Sequence, residues 1–88
     1  MNEYKAKKVM EILEKVIKIN ATKGTDLVAD LRGSSLYVYD TNNDCKSIID
    51  YEGITSHIYF TKHWDNYFDG MVEAMHEALD KYLEVNNE

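Results

Sequence analysis

The sequence has few of the residues that break secondary structure or cross-link a chain. It contains no proline, one cysteine and four glycines in 88 residues. Cys45 alone cannot form an internal disulfide, which is typical of proteins in a reducing compartment. No low-complexity linker or internal repeat divides the chain, and its length suits one domain, residues 1–88.

Long apolar runs are also absent. No stretch approaches the ~20 apolar residues that a membrane span requires. The charged beginning, MNEYKAKK, is not followed by the apolar segment of a secretory signal. We therefore expect a cytoplasmic protein without membrane contact. The apolar fraction of 44% is normal for a folded domain and argues against intrinsic disorder.

Motifs that carry known chemistry are missing as well. The chain has no Gly-rich phosphate loop, no Gly-x-Ser-x-Gly, no Cys-x-x-Cys and no His-Glu-x-x-His. Glu73 and His76 form one Glu-x-x-His step, whereas di-iron bundles need two such steps and further carboxylates. Cys45 follows Asp44 and lacks an adjacent base. We expect no cofactor, no metal and no enzymatic activity.

Charge is abundant but unevenly placed. Residues 1–24 hold six lysines against three glutamates, a net +3, and residues 25–88 hold four basic residues against thirteen carboxylates, a net −9. The resulting net charge of −6 repels nucleic-acid phosphates at long range. It favours a basic partner, or it serves only to keep a small protein soluble.

Two amphipathic helices are predicted. The first is expected to begin after Asn2, a suitable N-cap, and to end near Thr22, with Gly24 in a left-handed conformation. Its expected buried stripe is Ala6, Val9, Met10, Leu13, Val16 and Ile17.

The second helix, Trp64 to Val85, has the clearest periodicity, and Thr61 is its candidate N-cap. Gly70 costs roughly 1 kcal/mol relative to alanine, which indicates close packing or a kink. The expected buried side is Trp64, Phe68, Met71, Met75, Leu79 and Tyr82.

Between the helices, the apolar period changes to two. Strands are expected at 27–32, 36–39, 45–51 and 54–60, and the last two could form one bent strand across Gly53. Short turns predict an antiparallel meander. The predicted fold class is α+β: a two-layer sandwich with an N-terminal helix, a meander of three to four strands and a C-terminal helix, both helices on one sheet face.

Two sets of residues are candidates for binding a partner. The first set consists of tyrosines in the strands. If Leu36 and Val38 face the helices, these tyrosines face outward on the uncovered sheet, where tyrosine suits a protein interface. High β propensity also explains tyrosines in strands. The second set forms a row on the second helix, at turns about 5–6 Å apart, or it is an ordinary solvated face. The first set is Tyr37, Tyr39 and Tyr59, with His57 beside them; the second is Asp69, Glu73, Glu77, Asp80 and Glu84.

The element order resembles that of double-stranded RNA-binding domains, which begin their second helix with lysines. Residues 63–69, HWDNYFD, are acidic here, so we predict no direct nucleic-acid binding. In size, acidity and helix–meander–helix order, the chain also resembles phage-encoded DNA mimics such as anti-CRISPR proteins. That resemblance implies an inhibitor that occupies the basic channel of a nucleic-acid-binding protein.

The sequence thus favours a small acidic, non-enzymatic module that binds a basic protein through the acidic helix face and the tyrosines. One alternative is a small-molecule or nucleotide-binding module with a pocket between sheet and helices, near His57, Tyr59 and His63. Another is a structural homodimer in which the tyrosine face is self-complementary.

Overall fold

The structure, a computed structural model, describes residues 1–84 of the chain. Its two long helices flank four strands, which confirms the predicted α+β class. Val85 and residues 86–88, where the second helix and a frayed tail were expected, lie outside the described residues. The elements are α1 (Glu3–Lys23), β1 (Leu27–Leu31), β2 (Ser35–Asp40), β3 (Lys46–Ser47), β4 (Ile58–Tyr59) and α2 (Asp65–Glu84), with single 3₁₀ turns at Thr41–Asn43 and Lys62–Trp64.

Both ends of α1 form as its sequence predicts. The Asn2 side chain accepts a hydrogen bond from the backbone N–H of Lys5 at 2.8 Å. Gly24 has a φ of 67°, and its N–H donates to the carbonyl of Asn20. Glycine adopts this left-handed conformation without the steric cost that a Cβ imposes.

The predicted buried stripe of α1 is partly wrong. Val9 and Val16 are buried, but Met10 and Ile17 are 58% and 68% exposed. The helix carries two adjacent apolar stripes, and its contacts with α2 determine which one is covered. The stripe that faces the core is Lys5, Val9, Ile12, Val16 and Ile19.

The sheet is built around β2. On one side β1 pairs with it antiparallel, from Leu27↔Asp40 to Leu31↔Leu36. On the other side, β3 pairs near the end of β2 and β4 pairs near its start. Because β3 and β4 both run antiparallel to β2, they follow one another along the same edge of the sheet.

The predicted strands at 45–51 and 54–60 are each reduced to two residues. Residues 48–57 leave the sheet edge as a loop, which an isolated bridge between Tyr51 and Thr55 closes. Ser47 Oγ donates to the carbonyl of Ser56 at 2.8 Å across the base of this loop. Ile49 is buried although it lies in no strand, so the apolar residues that suggested a strand instead anchor a loop.

Both helices pack on one face of the sheet. Leu36, Val38 and Ile58 point from the strands into this core, and Met71 and Met75 meet them from α2. Glu73 is exposed while Met75 is fully buried, so the predicted orientation of α2 is confirmed. Within residues 1–84, no helix lies over the opposite face of the sheet.

Gly70 permits close packing within α2. A Cβ built on Gly70 would lie 2.9 Å from Cζ of Tyr51, whose ring crosses the helix at this point. The predicted cap at Thr61 is wrong, because Thr61 precedes the Lys62–Trp64 turn and its side chain makes no capping hydrogen bond. Asp65 supplies the negative charge in the first turn of α2.

Candidate interaction surface

The uncovered sheet face carries a continuous row of ring side chains. Ring centroids lie 5.5 Å apart between Tyr39 and Tyr37, and 4.5 Å apart between Tyr37 and His57. They are 5.4 Å apart between His57 and Tyr59 and 4.8 Å apart between Tyr59 and Trp64. We call these five side chains the aromatic row.

Strand geometry explains how these rings meet. Tyr37 and Tyr39 alternate with buried Leu36 and Val38, so both point away from the helices. Ile58 pairs with Leu36 and is fully buried, so the residues on either side of it, His57 and Tyr59, also point to the uncovered face. After β4, the Lys62–Trp64 turn reverses the chain direction, and the Trp64 ring packs on the Tyr59 ring.

Two of the four ring pairs are stacked and two are tilted. Interplanar angles are 22° for both His57–Tyr59 and Tyr59–Trp64, 35° for Tyr37–His57 and 38° for Tyr37–Tyr39. Neighbours therefore cover the ring faces within the row, and the ring edges and hydroxyl groups are what a partner would contact. Such a surface suits a protein contact better than insertion of a planar base, which needs an open ring face.

A neutralised ion pair lies beside the row. The Arg32 guanidinium donates from Nε to Oδ1 of Asp30 at 3.2 Å and from Nη2 to Oδ2 at 3.0 Å. This two-bond contact lowers the pKa of the Asp30 carboxyl and raises the pKa of Arg32. Both side chains line an open depression with Tyr37 and His57, so polar groups border the row without adding net charge.

Two of the five predicted acidic residues on α2 contact α1. The Tyr4 hydroxyl donates to Oδ1 of Asp69 at 2.6 Å, and this hydrogen bond raises the pKa of Tyr4. Lys15 Nζ pairs with Oδ1 of Asp80 at 2.6 Å. The basic first helix thus partly neutralises the edge of α2 that it faces.

The next carboxylates around α2 lie nearer the 48–57 loop, although Glu73 also lines a depression with Tyr4 and Lys8 of α1. Glu73 and Glu77 line an open depression together with Asp50 and Glu52 from the 48–57 loop. We call these four residues the acidic cluster. Glu84, at the end of α2, is exposed.

The two predicted sets of binding residues lie on opposite sides of the molecule. Tyr37, Tyr39 and Tyr59 are on the uncovered sheet face, whereas the carboxylates of α2 lie on the helical layer that covers the other face. One flat partner surface could not contact both sets at once. Whether either set binds a partner stays a prediction.

Sequence reasoning missed Trp64 as a member of the row. Its helical spacing placed it on the buried side of α2, but α2 begins one residue later, at Asp65. Asp65 was the available signal for a later start of the helix, because carboxylates are favoured in the first turn.

The expected pocket between sheet and helices is filled by the core, where Leu36, Ile58 and Met71 are fully buried. An open depression beside His57 and Tyr59 instead lies along the 50–56 segment. Across residues 1–84, no three His, Cys, Asp or Glu side chains are grouped so as to hold a metal ion. Neither helix in this part of the chain is long and apolar enough to cross a membrane.

Comparison of the chain with protein-family models, with curated proteins and with solved structures finds no significant match.

Proposed function

We propose that this protein is a non-enzymatic module that binds a basic protein through the aromatic row. The observation that carries the proposal is the continuous contact of five ring side chains on a sheet face that no helix of residues 1–84 covers. Aromatic side chains dominate the binding energy of many protein interfaces, since each buries a large area at a small cost in conformational entropy. Stacking fixes these rings before a partner arrives, which lowers that cost further.

The charge of the chain favours a basic partner. A net charge of −6 on 88 residues attracts a positively charged surface over distances comparable with the Debye length, about 8–10 Å. Long-range steering acts on the encounter as a whole, so the carboxylates need not lie in the contact itself. The placement of the α2 carboxylates on the side opposite to the row is therefore compatible with one mechanism: charge accelerates association and the rings supply the contact. Asp50 of the acidic cluster borders the row as well.

A second candidate is a DNA-mimic inhibitor of a basic nucleic-acid-binding protein, as the anti-CRISPR resemblance implies. Its support is the acidic cluster, in which four carboxylates from α2 and the 48–57 loop border one depression. Asp69 and Asp80 are engaged by α1 and offer less to such a partner. We rank this candidate second for that reason.

A variant series on the affinity-purified complex separates the two. The tagged protein captures partners from the cytosol of its host, and Tyr37→Ala with Tyr59→Ala is compared with Glu73→Lys plus Glu77→Lys. We expect the tyrosine variant to lose the captured protein, and the charge variant to weaken capture mainly at low salt. Tyr4→Ala, an exposed tyrosine on the helical layer, is the matched control and should retain the partner.

Loss of the partner with the charge variant at every salt concentration, and retention with the tyrosine variant, would contradict the aromatic row and support the DNA mimic. Circular dichroism of each variant shows that the fold is intact before binding is compared.

A further inference from the structure

The outer edge of β1 is open. Hydrogen bonds to β2 alternate along an antiparallel strand, and the bonds Thr41 N–H to Asp26 O and Arg32 N–H to Ser35 O set the phase. The even-numbered residues of β1 therefore bond to β2. The N–H and C=O groups of Leu27, Ala29 and Leu31 point the other way, toward the edge.

Only the beginning of this edge is closed. The Asn20 side chain accepts a hydrogen bond from Leu27 N–H at 3.0 Å and donates one to Leu27 C=O at 2.8 Å, as a neighbouring strand would. Within residues 1–84, no partner meets the outward groups of Ala29 and Leu31. Folded proteins protect such edges with charged side chains, especially lysine, with proline or with a bulge. The β1 sequence, LVADL, has neither lysine nor proline, and its one charge, Asp30, is paired with Arg32.

An apolar flank runs beside the open edge. Tyr4 and Lys15 mark the side of α1 that contacts α2. Met10 and Ile17 lie on the other side, in line with Asn20, which reaches β1. Both are exposed, as is Leu31 at 47%. Three of the large apolar residues that a monomer would leave in water therefore lie on one flank.

We propose that a second copy of this chain docks along this flank, with β1 pairing antiparallel to β1 about a two-fold axis. An antiparallel strand pair of identical sequence is self-complementary under such an axis, so one patch serves both copies. The Met10 and Ile17 side chains of the two α1 helices would then cover one another. The two four-stranded sheets would join into one.

Charge complementarity selects a register. If the axis passes at Leu31, the outward N–H and C=O of Leu31 pair with those of the same residue in the second copy. Asp30 of each copy then lies opposite Arg32 of the partner subunit, so no like charges face each other across the two strands. Each guanidinium can exchange its bonds to Asp30 of its own copy for bonds to the carboxylate opposite.

This inference does not depend on the proposed function, because the dimer uses the outward backbone groups of β1 and the α1 flank, whereas the partner contact uses the rings. Only Asp30 and Arg32 border both. Joining the sheets leaves both rows uncovered on one continuous face. A dimer would thus present two binding surfaces to a partner, and the failure of either proposal would leave the other standing.

Sedimentation of the full chain at micromolar concentrations tests the dimer. We expect the wild type to sediment at twice the chain mass, and Ile17→Lys to raise the dissociation constant at least about tenfold. Ile17 is mostly exposed, so the added charge should leave the fold intact, which circular dichroism checks. The matched control is Ile54→Lys, in the 48–57 loop at the opposite edge of the sheet, which should remain dimeric.

A monomeric wild type would overturn the proposal. So would a dimer that Ile54→Lys disrupts and Ile17→Lys does not, because the contact would then be elsewhere.

Hydrogen exchange of single amides tests the strand pairing itself. The amides of Val28 and Asp30 bond to β2 and should be protected at every protein concentration. Those of Ala29 and Leu31 should become protected only as the concentration rises into the dimer range. Fast exchange of Ala29 and Leu31 in a sedimenting dimer would rule out the β1 pairing.

Discussion

Lys5 lies where α1, the end of β4 and the start of α2 meet. Its Nζ donates to the carbonyl of Phe60 at 2.8 Å, forms an ion pair with Asp65 and lies 5.6 Å from the centre of the Phe68 ring. The side chain is buried although it is charged, and these contacts explain why it can be. Lys5 therefore holds both ends of the segment that contains the Lys62–Trp64 turn, and this turn positions Trp64 in the aromatic row.

The position of Lys5 in the apolar pattern of α1 indicates that its side chain is buried. It falls at the start of the stripe that contains Val9, Ile12 and Val16, four residues before the first of them. A lysine at the end of an apolar stripe can bury its stem while its ammonium finds a partner. What the sequence could not supply was that partner, because Phe60 and Asp65 reach it only through the tertiary fold.

His76 makes stability depend on pH. Partial burial, and then the Lys15 ammonium 3.1 Å from its Nδ1, lower the pKa of the imidazole below its usual value of about 6.5. The unfolded chain therefore binds a proton that the folded chain resists, so the folded state loses stability as the pH falls below about 6.5.

We expect His76→Gln to reduce this loss. The measurement is the fall in urea midpoint between pH 7.5 and pH 5.5, which should be smaller for the variant than for the wild type. His63→Gln, an exposed histidine in the turn before α2, is the control and should keep the wild-type slope. Parallel curves for wild type and His76→Gln would contradict the assignment.

At the scale of elements, α2 and the 48–57 loop depend on one contact, that of Tyr51 over Gly70. Alanine at position 70 would gain about 1 kcal/mol of helix propensity. Its Cβ would also crowd the Tyr51 ring, with Cζ 2.9 Å away. We expect Gly70→Ala to destabilise the wild type but to stabilise a Tyr51→Ala variant.

A double-mutant cycle in urea measures this coupling, which should be at least about 1 kcal/mol. Additive effects of the two substitutions would mean that the ring moves aside without cost, and that Gly70 serves no packing purpose.

The sequence predicted some elements better than others for physical reasons. The faces of α2 were correct at Glu73 and Met75 because one apolar stripe stands against one charged side. In α1, Met10 and Ile17 compete with Ile12 and Ile19, and only contacts with α2 decide between them.

In the candidate site, too, local patterns were predictable and tertiary contacts were not. Strand alternation predicted that Tyr37 and Tyr39 point outward. The ring contact of Tyr37 with His57, which joins the two strands' side chains into one row, could not be predicted. It requires β4 to pair with β2 after a loop of ten residues, 48–57.

At the scale of the whole molecule, we propose separate roles for two surfaces and the net charge. The aromatic row would supply the contact with a basic partner, the net charge of −6 would supply steering, and the β1 edge would join two copies. The layered fold separates the α2 carboxylates from the row, because both helices cover the sheet face opposite to the row. Asp50 and the Asp30–Arg32 pair border the row itself.

The most direct measurement of the central claim is the fluorescence of Trp64. It is the sole tryptophan of the chain and lies in the aromatic row. When the captured partner, or a variant of it without tryptophan, is added, we expect a blue-shifted emission and reduced quenching by acrylamide. Dimerisation along β1 alone should change neither signal. Binding demonstrated by sedimentation, with the emission and quenching of Trp64 unchanged, would contradict the claim that the aromatic row is the surface that binds.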